Sequence, residues 1–225
     1  MDIREANEGT FWALLDPEQR GWVRAAATAR RFEPGDVLIR EGDRGDWVLV
    51  LASGRVKVVA AGPAGHAAVL AVRGPGDILG EMAALDGSPR SATVTAVEPV
   101  VGLHVPGGRF SALLVDHPAV AAILLRIVTS RLRYANQRRM DHADAGTARR
   151  LAALLLELHD RYGRRAPDGV TITLRVTQSD LAGLISASRE AVTRALRPLR
   201  DRGVLTTGRQ RLVIHDVEAL RRAAR

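Results

Sequence analysis

Gly80-Glu81-Met82-Ala83-Ala84-Leu85-Asp86-Gly87-Ser88-Pro89-Arg90-Ser91 carries the most informative chemistry in this chain. A helix-forming run from Met82 to Leu85 is followed by the turn Asp86-Gly87-Ser88-Pro89, and Arg90-Ser91 then leads into the alternating run Ala92-Thr93-Val94-Thr95-Ala96. One carboxylate and one guanidinium therefore flank a tight turn. That pair suits a small ligand with hydroxyls at one end and a phosphate at the other. Glu81 can accept from a ribose hydroxyl, and Arg90 can fork onto a phosphate with Ser91 as an added donor. The free N–H groups that open the helix at Met82 favour an anion. Gly80 removes the Cβ where a ligand passes close to backbone. On residue types alone, a solvated ion pair between Glu81 and Arg90 would explain the same letters.

The surroundings of this stretch are β-rich. From Arg30 to about Val105, short runs of high β propensity are cut by glycines: Val37–Ile39, Trp47–Leu51, Val56–Val59, Ala68–Val72, Ala92–Val97 and Val100–Val105. Many short strands at near-even spacing predict a β-barrel or sandwich. The order Gly-Glu, short helix, Pro-Arg-Ser-Ala resembles the phosphate-binding cassette of cyclic-nucleotide-binding domains. Glu33-Pro34-Gly35-Asp36 and Glu41-Gly42-Asp43-Arg44-Gly45-Asp46 resemble the opening hairpins of the same domain. The resemblance implies a pocket formed by Gly80, Glu81, Met82, Arg90 and Ser91. In it Glu81 holds the ribose 2′-hydroxyl, and Arg90 with Ser91 holds the cyclic phosphate.

Composition narrows the remaining classes. The chain has 225 residues, room for one large or two modest domains. It contains no cysteine, which excludes disulfides and thiolate-bound iron–sulfur clusters. His66 and His104 have no second ligand at a metal-like spacing, so neither metal nor haem is expected. No run reaches the ~18–20 apolar residues of a membrane span. The Met1–Glu5 end lacks a secretory pattern, which fits a cytoplasmic protein without a membrane partner. The net charge of +8 is unevenly spread. Residues 1–145 carry 17 basic and 17 acidic side chains, whereas residues 146–225 carry 16 and 8. A neutral first part joined to a basic second part suggests a sensor attached to a polyanion-binding domain.

Residues 1–27 read as amphipathic helix, with Trp12, Leu14, Leu15, Trp22 and Val23 apolar and Asp16-Pro17 as a helix start. Residues 117–145 form a long helical stretch. Val120, Ile123, Leu124, Ile127, Val128, Leu132 and Ala135 keep an apolar stripe at helical spacing. Such a stripe can pack on its own barrel and on the same helix of a second subunit. Here the chain resembles the cyclic-AMP receptor protein family (Crp/Fnr) of bacterial regulators, for which this is the dimer helix. Two adjacent polar residues of that helix touch adenine in the family, one in each subunit, and they align with Ala135 and Asn136. Asn136 keeps an amide; Ala135 lacks the expected hydroxyl, which leaves cyclic GMP or relaxed specificity open beside cyclic AMP. Asp141 to Gly146 reads as a hinge.

The basic part begins with a helix over residues 147–162, then a polar turn from Gly163 to Gly169 and a strand over Val170–Leu174. Thr177 with Asp180 reads as a helix N-cap pair. Leu181, Leu184 and Ile185 form a buried face, Ser186-Ala187-Ser188 a turn, and Ser188 caps the next helix. This is a helix-turn-helix. With Arg189 at zero and ~100° per residue, Thr193 falls near 40°, Arg197 near 80°, Glu190 near 100° and Arg194 near 140°. Val192, Ala195, Leu196 and Leu199 fall on the other side. Arg can read guanine and Glu can accept from cytosine in the major groove. Ser188-Arg189-Glu190-x-Val192-x-Arg194 resembles the family's recognition helix, which implies that Arg189, Glu190 and Arg194 read a TGTGA-like half-site. Pro198 is expected to kink or shorten this helix. Val204–Thr207 and Leu212–Ile214 flank Gly208-Arg209-Gln210 as a hairpin wing, with Arg209 and Arg211 on phosphates. Asp216 is expected to cap a last helix.

The fold expected is α+β: a jelly-roll-like cyclic-nucleotide-binding barrel over 1–116, a dimerisation helix and hinge over 117–145, and a winged helix-turn-helix over 146–225. The function expected is a homodimeric, non-enzymatic transcription regulator. It would bind double-stranded DNA in response to a cyclic nucleotide, cyclic AMP ahead of cyclic GMP. The rival within the family has no cyclic-nucleotide dependence. RNA polymerase is a partner by family analogy, with His159–Arg165 as the surface.

Overall fold

Asp16 and Pro17 start a helix for a local reason. After the single turn α1 (Phe11–Leu14), the Asp16 carboxylate accepts from Gln19 N–H at 2.9 Å and the Gln19 side chain accepts from Asp16 N–H at 3.0 Å. This reciprocal cap satisfies two otherwise orphaned donors at the start of α2 (Pro17–Ala26). The computed structural model describes residues 3, 6–61, 67–144, 146–174, 176–208 and 211–225. Its internal contacts separate into two units, Met1–Tyr134 and Ala135–Arg225.

In chain order the first unit continues with β1 (Thr28–Phe32), β2 (Val37–Ile39), β3 (Val48–Ser53), β4 (Val56–Ala61), β5 (Ala67–Arg73) and β6 (Ile78–Leu79). Then come α3 (Glu81–Asp86), β7 (Thr93–Ala96), β8 (Val100–Val105), α4 (Gly107–Asp116) and α5 (Pro118–Asp144), whose residues from Ala135 on belong to the second unit. The strands form two four-stranded sheets, ordered β1-β8-β3-β6 and β2-β7-β4-β5, with every pairing antiparallel. This is the jelly-roll-like architecture expected. β1 and β6 are additions to the strands read from sequence. β1 is an edge strand whose Arg30 and Arg31 are exposed, so it shows no apolar alternation; backbone pairing to β8 alone defines it.

The strand β3 is buried on both faces, which hides its alternation in the sequence. Leu49 and Leu51 point into the sandwich with Leu38, Ile39, Val56, Val94, Ala96 and Val100. Val48 and Val50 point the other way, into a second core with Phe11, Trp12, Val23, Phe110, Val120, Leu124 and Ile127. Each such side chain contributes ~1.5–3 kcal/mol on burial. The second core divides the apolar stripe of α5. Val120, Ile123, Leu124 and Ile127 pack on their own unit, while Leu132 is 59% exposed. Leu125, outside the expected stripe, is 66% exposed. α4 and α5 meet at 110° across His117. α4 was not foreseen, because Gly107-Gly108 at its start reads as a breaker. No single helix among the described residues is long and apolar enough to cross a membrane.

The second unit contains α6 (Thr147–Tyr162), β9 (Gly163–Ala166), β10 (Gly169–Ile172), α7 (Gln178–Leu184), α8 (Arg189–Asp201), β11 (Leu205–Gly208), β12 (Arg211–Ile214) and α9 (Val217–Ala223). Its sheet order is β11-β12-β10-β9. Three expectations need correction. The polar turn over Gly163–Gly169 is partly strand: Gly163–Ala166 pairs with β10 as an exposed edge. α5 stays helical through Asp144, so the helix enters the segment read as a hinge. Pro198 neither ends nor shortens α8, which runs to Asp201. Pro198 is exposed, and so is Arg194 one turn earlier, so the lost hydrogen bond falls on the solvent face of the helix. Asp216 caps α9 as expected, accepting from Ala219 N–H at 2.8 Å.

Candidate functional site

The first site is assembled by loops around α3. Arg90 and Glu81 are each only 4% exposed, so a solvated pair between them is ruled out. Backbone bonds hold Arg90 in place: its N–H donates to Asp43 O, and Gly42 N–H donates to Arg90 O, both at 2.9 Å. Its side chain then reaches inward. Nη1 donates to Gly80 O and Nη2 to Trp47 O, each at 2.7 Å. A guanidinium has five N–H donors, so two are used and three have no partner among the described residues. Burial lowers the Arg90 pKa from its ordinary value, while Asp46 and then Glu81 oppose the shift. The group remains a cation at neutral pH. Gly80 is required twice over. Its φ is +79°, and a Cβ there would sit 2.3 Å from Arg90 Nη1.

Glu81, the first residue of α3, aims one oxygen at Arg131 on α5. Arg131 Nη1 donates to Glu81 Oε1 at 2.8 Å, and Nη2 donates to Ile78 O at 2.9 Å with Asp77 Oδ1 at 3.3 Å. Glu81 Oε2 has no partner among the described residues. A buried carboxylate with a spare acceptor therefore lies in the same unit as a buried guanidinium with three spare donors. Neither the spare Glu81 oxygen nor the spare Arg90 donors belong to the fully buried unpaired atoms of the described residues, so they reach the surface, where a polar ligand can meet them. The complement fits a ribose hydroxyl at Glu81 and a phosphate at Arg90. Ser91 is exposed, and so is Met82, at 50%. Asn136 is exposed on α5 and belongs to the second unit.

Sequence reading missed Arg131, 50 residues from its partner. The only available signal was a charged residue set between Val128 and Leu132 in an apolar stripe. Replacing Arg131 by alanine would leave Glu81 buried without its counter-charge. We expect that variant to lose about 3 kcal/mol in urea denaturation, in keeping with broken buried pairs.

The second site is the surface of α7, α8 and the β11–β12 hairpin. Thr177 Oγ1 accepts from Asp180 N–H at 3.1 Å and Asp180 accepts from Thr177 N–H at 3.0 Å, so the capping box forms with aspartate in place of glutamate. The turn depends on Ser186, which takes a φ of +48°. Ser188 then caps α8 by accepting from Ala191 N–H at 3.2 Å. Arg189, Glu190, Thr193 and Arg194 are all exposed, while Val192, Leu196 and Leu199 are buried. The two faces of α8 thus separate as its sequence periodicity requires. Glu190 is held below its usual pKa by its own backbone N–H and the Ser188 hydroxyl, with Arg189 and Arg194 adding to the effect. It therefore stays an ionised acceptor. Gln178 is a further residue that the sequence did not single out. The Thr193 hydroxyl lies 3.0 Å from its Oε1 and 2.9 Å from Arg189 O, tying α7 to α8. Thr177, Ser179, Arg189, Thr207 and Arg211 line an open cleft of about 580 Å³ between these helices and the hairpin. Arg209 lies outside the described residues. Among the described residues, no group of His, Cys, Asp or Glu is placed to hold a metal ion.

Comparison with known proteins places both parts of the chain in known domain families. Residues 29–117 match the cyclic nucleotide-binding domain family, and residues 149–223 match the Crp-like helix-turn-helix domain family. The "CRP-like cAMP-activated global transcriptional regulator" of Mycobacterium tuberculosis is 31% identical over 205 residues, 89% of this chain and 92% of that one. The "Cyclic AMP receptor protein" of Thermus thermophilus is 30% identical over 211 residues, 93% and 94% of the two chains. The solved structure of a Crp/Fnr-family transcriptional regulator from Thermus thermophilus superposes with a TM-score of 0.74 at 26% identity, covering 88% of this chain and 98% of that one. The acetyltransferase Pat of Mycolicibacterium smegmatis shares only a 102-residue region, 45% of this chain and 30% of its own, so the likeness does not extend to a whole enzyme. Matched across both its nucleotide-binding and its DNA-binding halves, the chain belongs to the Crp/Fnr family of DNA-binding transcription regulators.

Proposed function

We propose that the chain is a homodimeric regulator whose grip on a two-fold symmetric, TGTGA-like operator is set by a cyclic nucleotide, cyclic AMP ahead of cyclic GMP. The observation that carries this reading is the buried Glu81 and Arg90 set, with one spare carboxylate oxygen and three spare guanidinium N–H donors. Glu81 takes the ribose hydroxyl, and Arg90 with Ser91 takes the phosphate; Gly80 and Met82 give the backbone that borders them. The two relatives named for cyclic AMP favour that base. Asn136 keeps the amide that the family resemblance assigns to the base, and Ala135, without a hydroxyl, supports weaker discrimination from cyclic GMP. Calorimetry with both nucleotides tests the reading; heat from neither would favour a regulator that acts without a cyclic nucleotide.

The dimer reading rests on α5. Leu125 and Leu132 are 66% and 59% exposed, and Thr129 lies between them at spacings of four and three. The Thr129 hydroxyl donates to Leu125 O at 2.7 Å, so its polar group is satisfied within the helix. That is the seam of a two-helix coiled coil, and a second copy of the same helix covers it. Leu132→Glu sets like charges across this seam. We expect it to weaken self-association by at least ~100-fold in analytical ultracentrifugation, with little change in folding.

On the DNA side, Arg189, Glu190 and Arg194 read bases. Thr177, Ser188 and Thr193 complete the DNA-binding surface, and Arg209 and Arg211 meet phosphates. Glu190→Ala should relax the preference at one base pair of each half-site by ~1–3 kcal/mol, measured by competition with substituted duplexes. The mechanism is linkage. Nucleotide favours the dimer geometry in which both recognition helices fit successive grooves, and DNA tightens nucleotide binding by the same factor. The cytoplasm and an RNA polymerase contact through His159–Arg165 follow from this reading as expectations.

A further inference from the structure

We propose that Trp47 is a positioning residue for the phosphate-binding guanidinium: its indole face and its backbone carbonyl together fix where Arg90 presents its unused donors. The proposal rests on the nucleotide reading of the pocket and adds a residue to it that neither sequence pattern nor family likeness singled out.

The Arg90 Cζ lies 4.6 Å from the Trp47 ring centroid, over its face. The same tryptophan accepts from Arg90 Nη2 through its carbonyl at 2.7 Å. One residue thus contacts the guanidinium from its flat side and from its edge. Gly80 O, accepting from Nη1 at 2.7 Å, is the third fixed point. Three points define the plane of a guanidinium, so the remaining N–H groups have a set direction.

The indole is itself held firmly. It packs on the sandwich core that contains Leu49, Leu51 and Val94. His104 also lies against it, with ring centroids 4.9 Å apart and planes tilted by 36°. His104 is buried, and burial lowers its pKa, with Arg30 and Arg90 lowering it further, so it stays neutral and adds no second cation. Gly45 closes the arrangement. A Cβ there would lie 3.0 Å from Arg90 Nη2 and 3.4 Å from Trp47 Nε1.

An arginine left to itself samples many rotamers, and a ligand that needs one of them must order it. A stacked, doubly bonded arginine is ordered before the ligand arrives. The indole face is also the best of the aromatic faces for a cation. The backbone carbonyl survives any substitution at residue 47, so a variant changes the indole's own contacts, the face over Arg90 among them, and keeps the carbonyl acceptor.

The test is calorimetry of the full chain with cyclic AMP for Trp47→Leu and Trp47→Phe, with thermal melting of each variant without nucleotide. Trp47→Leu should bind ~10-fold more weakly than the parent, and Trp47→Phe should stay within ~3-fold of it. Both variants should melt close to the parent. Parent-like binding by Trp47→Leu would overturn the proposal. So would an equal loss in both variants accompanied by lowered melting, which would make Trp47 a core filler. A parent chain that takes up neither cyclic AMP nor cyclic GMP would end the nucleotide reading itself, and the proposal with it. A parent that binds beside an unaffected Trp47→Leu would end the proposal alone.

Discussion

Replacing Arg90 by alanine is expected to weaken cyclic-nucleotide binding by at least ~100-fold and to leave operator affinity unresponsive to nucleotide. The size follows from the donors involved. Hydrogen bonds to a charged group contribute ~1.5–3 kcal/mol each, and a phosphate gripped by a fork receives two of them. Loss of the side chain also leaves Gly80 O and Trp47 O without their donor, so a smaller stability loss of ~1–3 kcal/mol accompanies the change. The cost of burying a cation disappears at the same time, and the first unit stays folded. Non-specific DNA affinity should not change, because the entire positive excess lies in residues 146–225. Arg90→Lys separates charge from geometry. It keeps a cation but neither the fork nor the flat face over Trp47, and should recover only part of the affinity. Calorimetry on the three proteins reads this directly, and an Arg90→Ala variant that binds like the parent would remove Arg90 from the pocket.

The second large effect is expected at Arg189. A bidentate arginine on guanine discriminates by ~1–3 kcal/mol, and a symmetric dimer places one in each half-site, so Arg189→Ala should lower operator affinity by ~2–6 kcal/mol. Arg189 is exposed at the first position of α8, and the helix is capped by Ser188 rather than by Arg189. Folding should therefore be unaffected. Binding to unrelated duplex should persist, since phosphate contacts carry it and salt weakens it. Fluorescence anisotropy with a symmetric duplex and with one altered at the guanine checks the claim. The parent should separate the two duplexes and the variant should not. Unchanged preference in the variant would assign base reading elsewhere on α8.

Much of this chain was legible before its structure because its decisive signals are local. The helix-turn-helix depends on caps and on a periodicity contained within some 25 consecutive residues, Thr177 to Asp201. The two cassette residues Glu81 and Arg90 flank one turn. What stayed hidden depends on distant or backbone partners. Glu81 pairs with Arg131 and Arg90 with the carbonyl of Trp47, each across more than 40 residues. β1 and β9 are edge strands rich in exposed arginine, and only their ladders define them. The stripe on α5 has two expected destinations, its own barrel and a second subunit, and only the packing tells them apart: Val120, Ile123, Leu124 and Ile127 face their own unit, while Leu132 and the unforeseen Leu125 are exposed. Pro198 does not end α8 before Asp201, because a hydrogen bond missing on the wet side of a helix is replaced by water.

The dependence of DNA binding on nucleotide is the central claim, and one titration reaches it most directly. The full chain is mixed with a labelled palindromic TGTGA-type duplex, and cyclic AMP is added while anisotropy is followed at fixed salt. The account predicts a saturable gain in operator affinity of ~5–150-fold, the range of a coupling of ~1–3 kcal/mol, with the same factor returned as tighter nucleotide binding in the presence of the duplex. An operator affinity that stays constant up to millimolar cyclic AMP and cyclic GMP would contradict it.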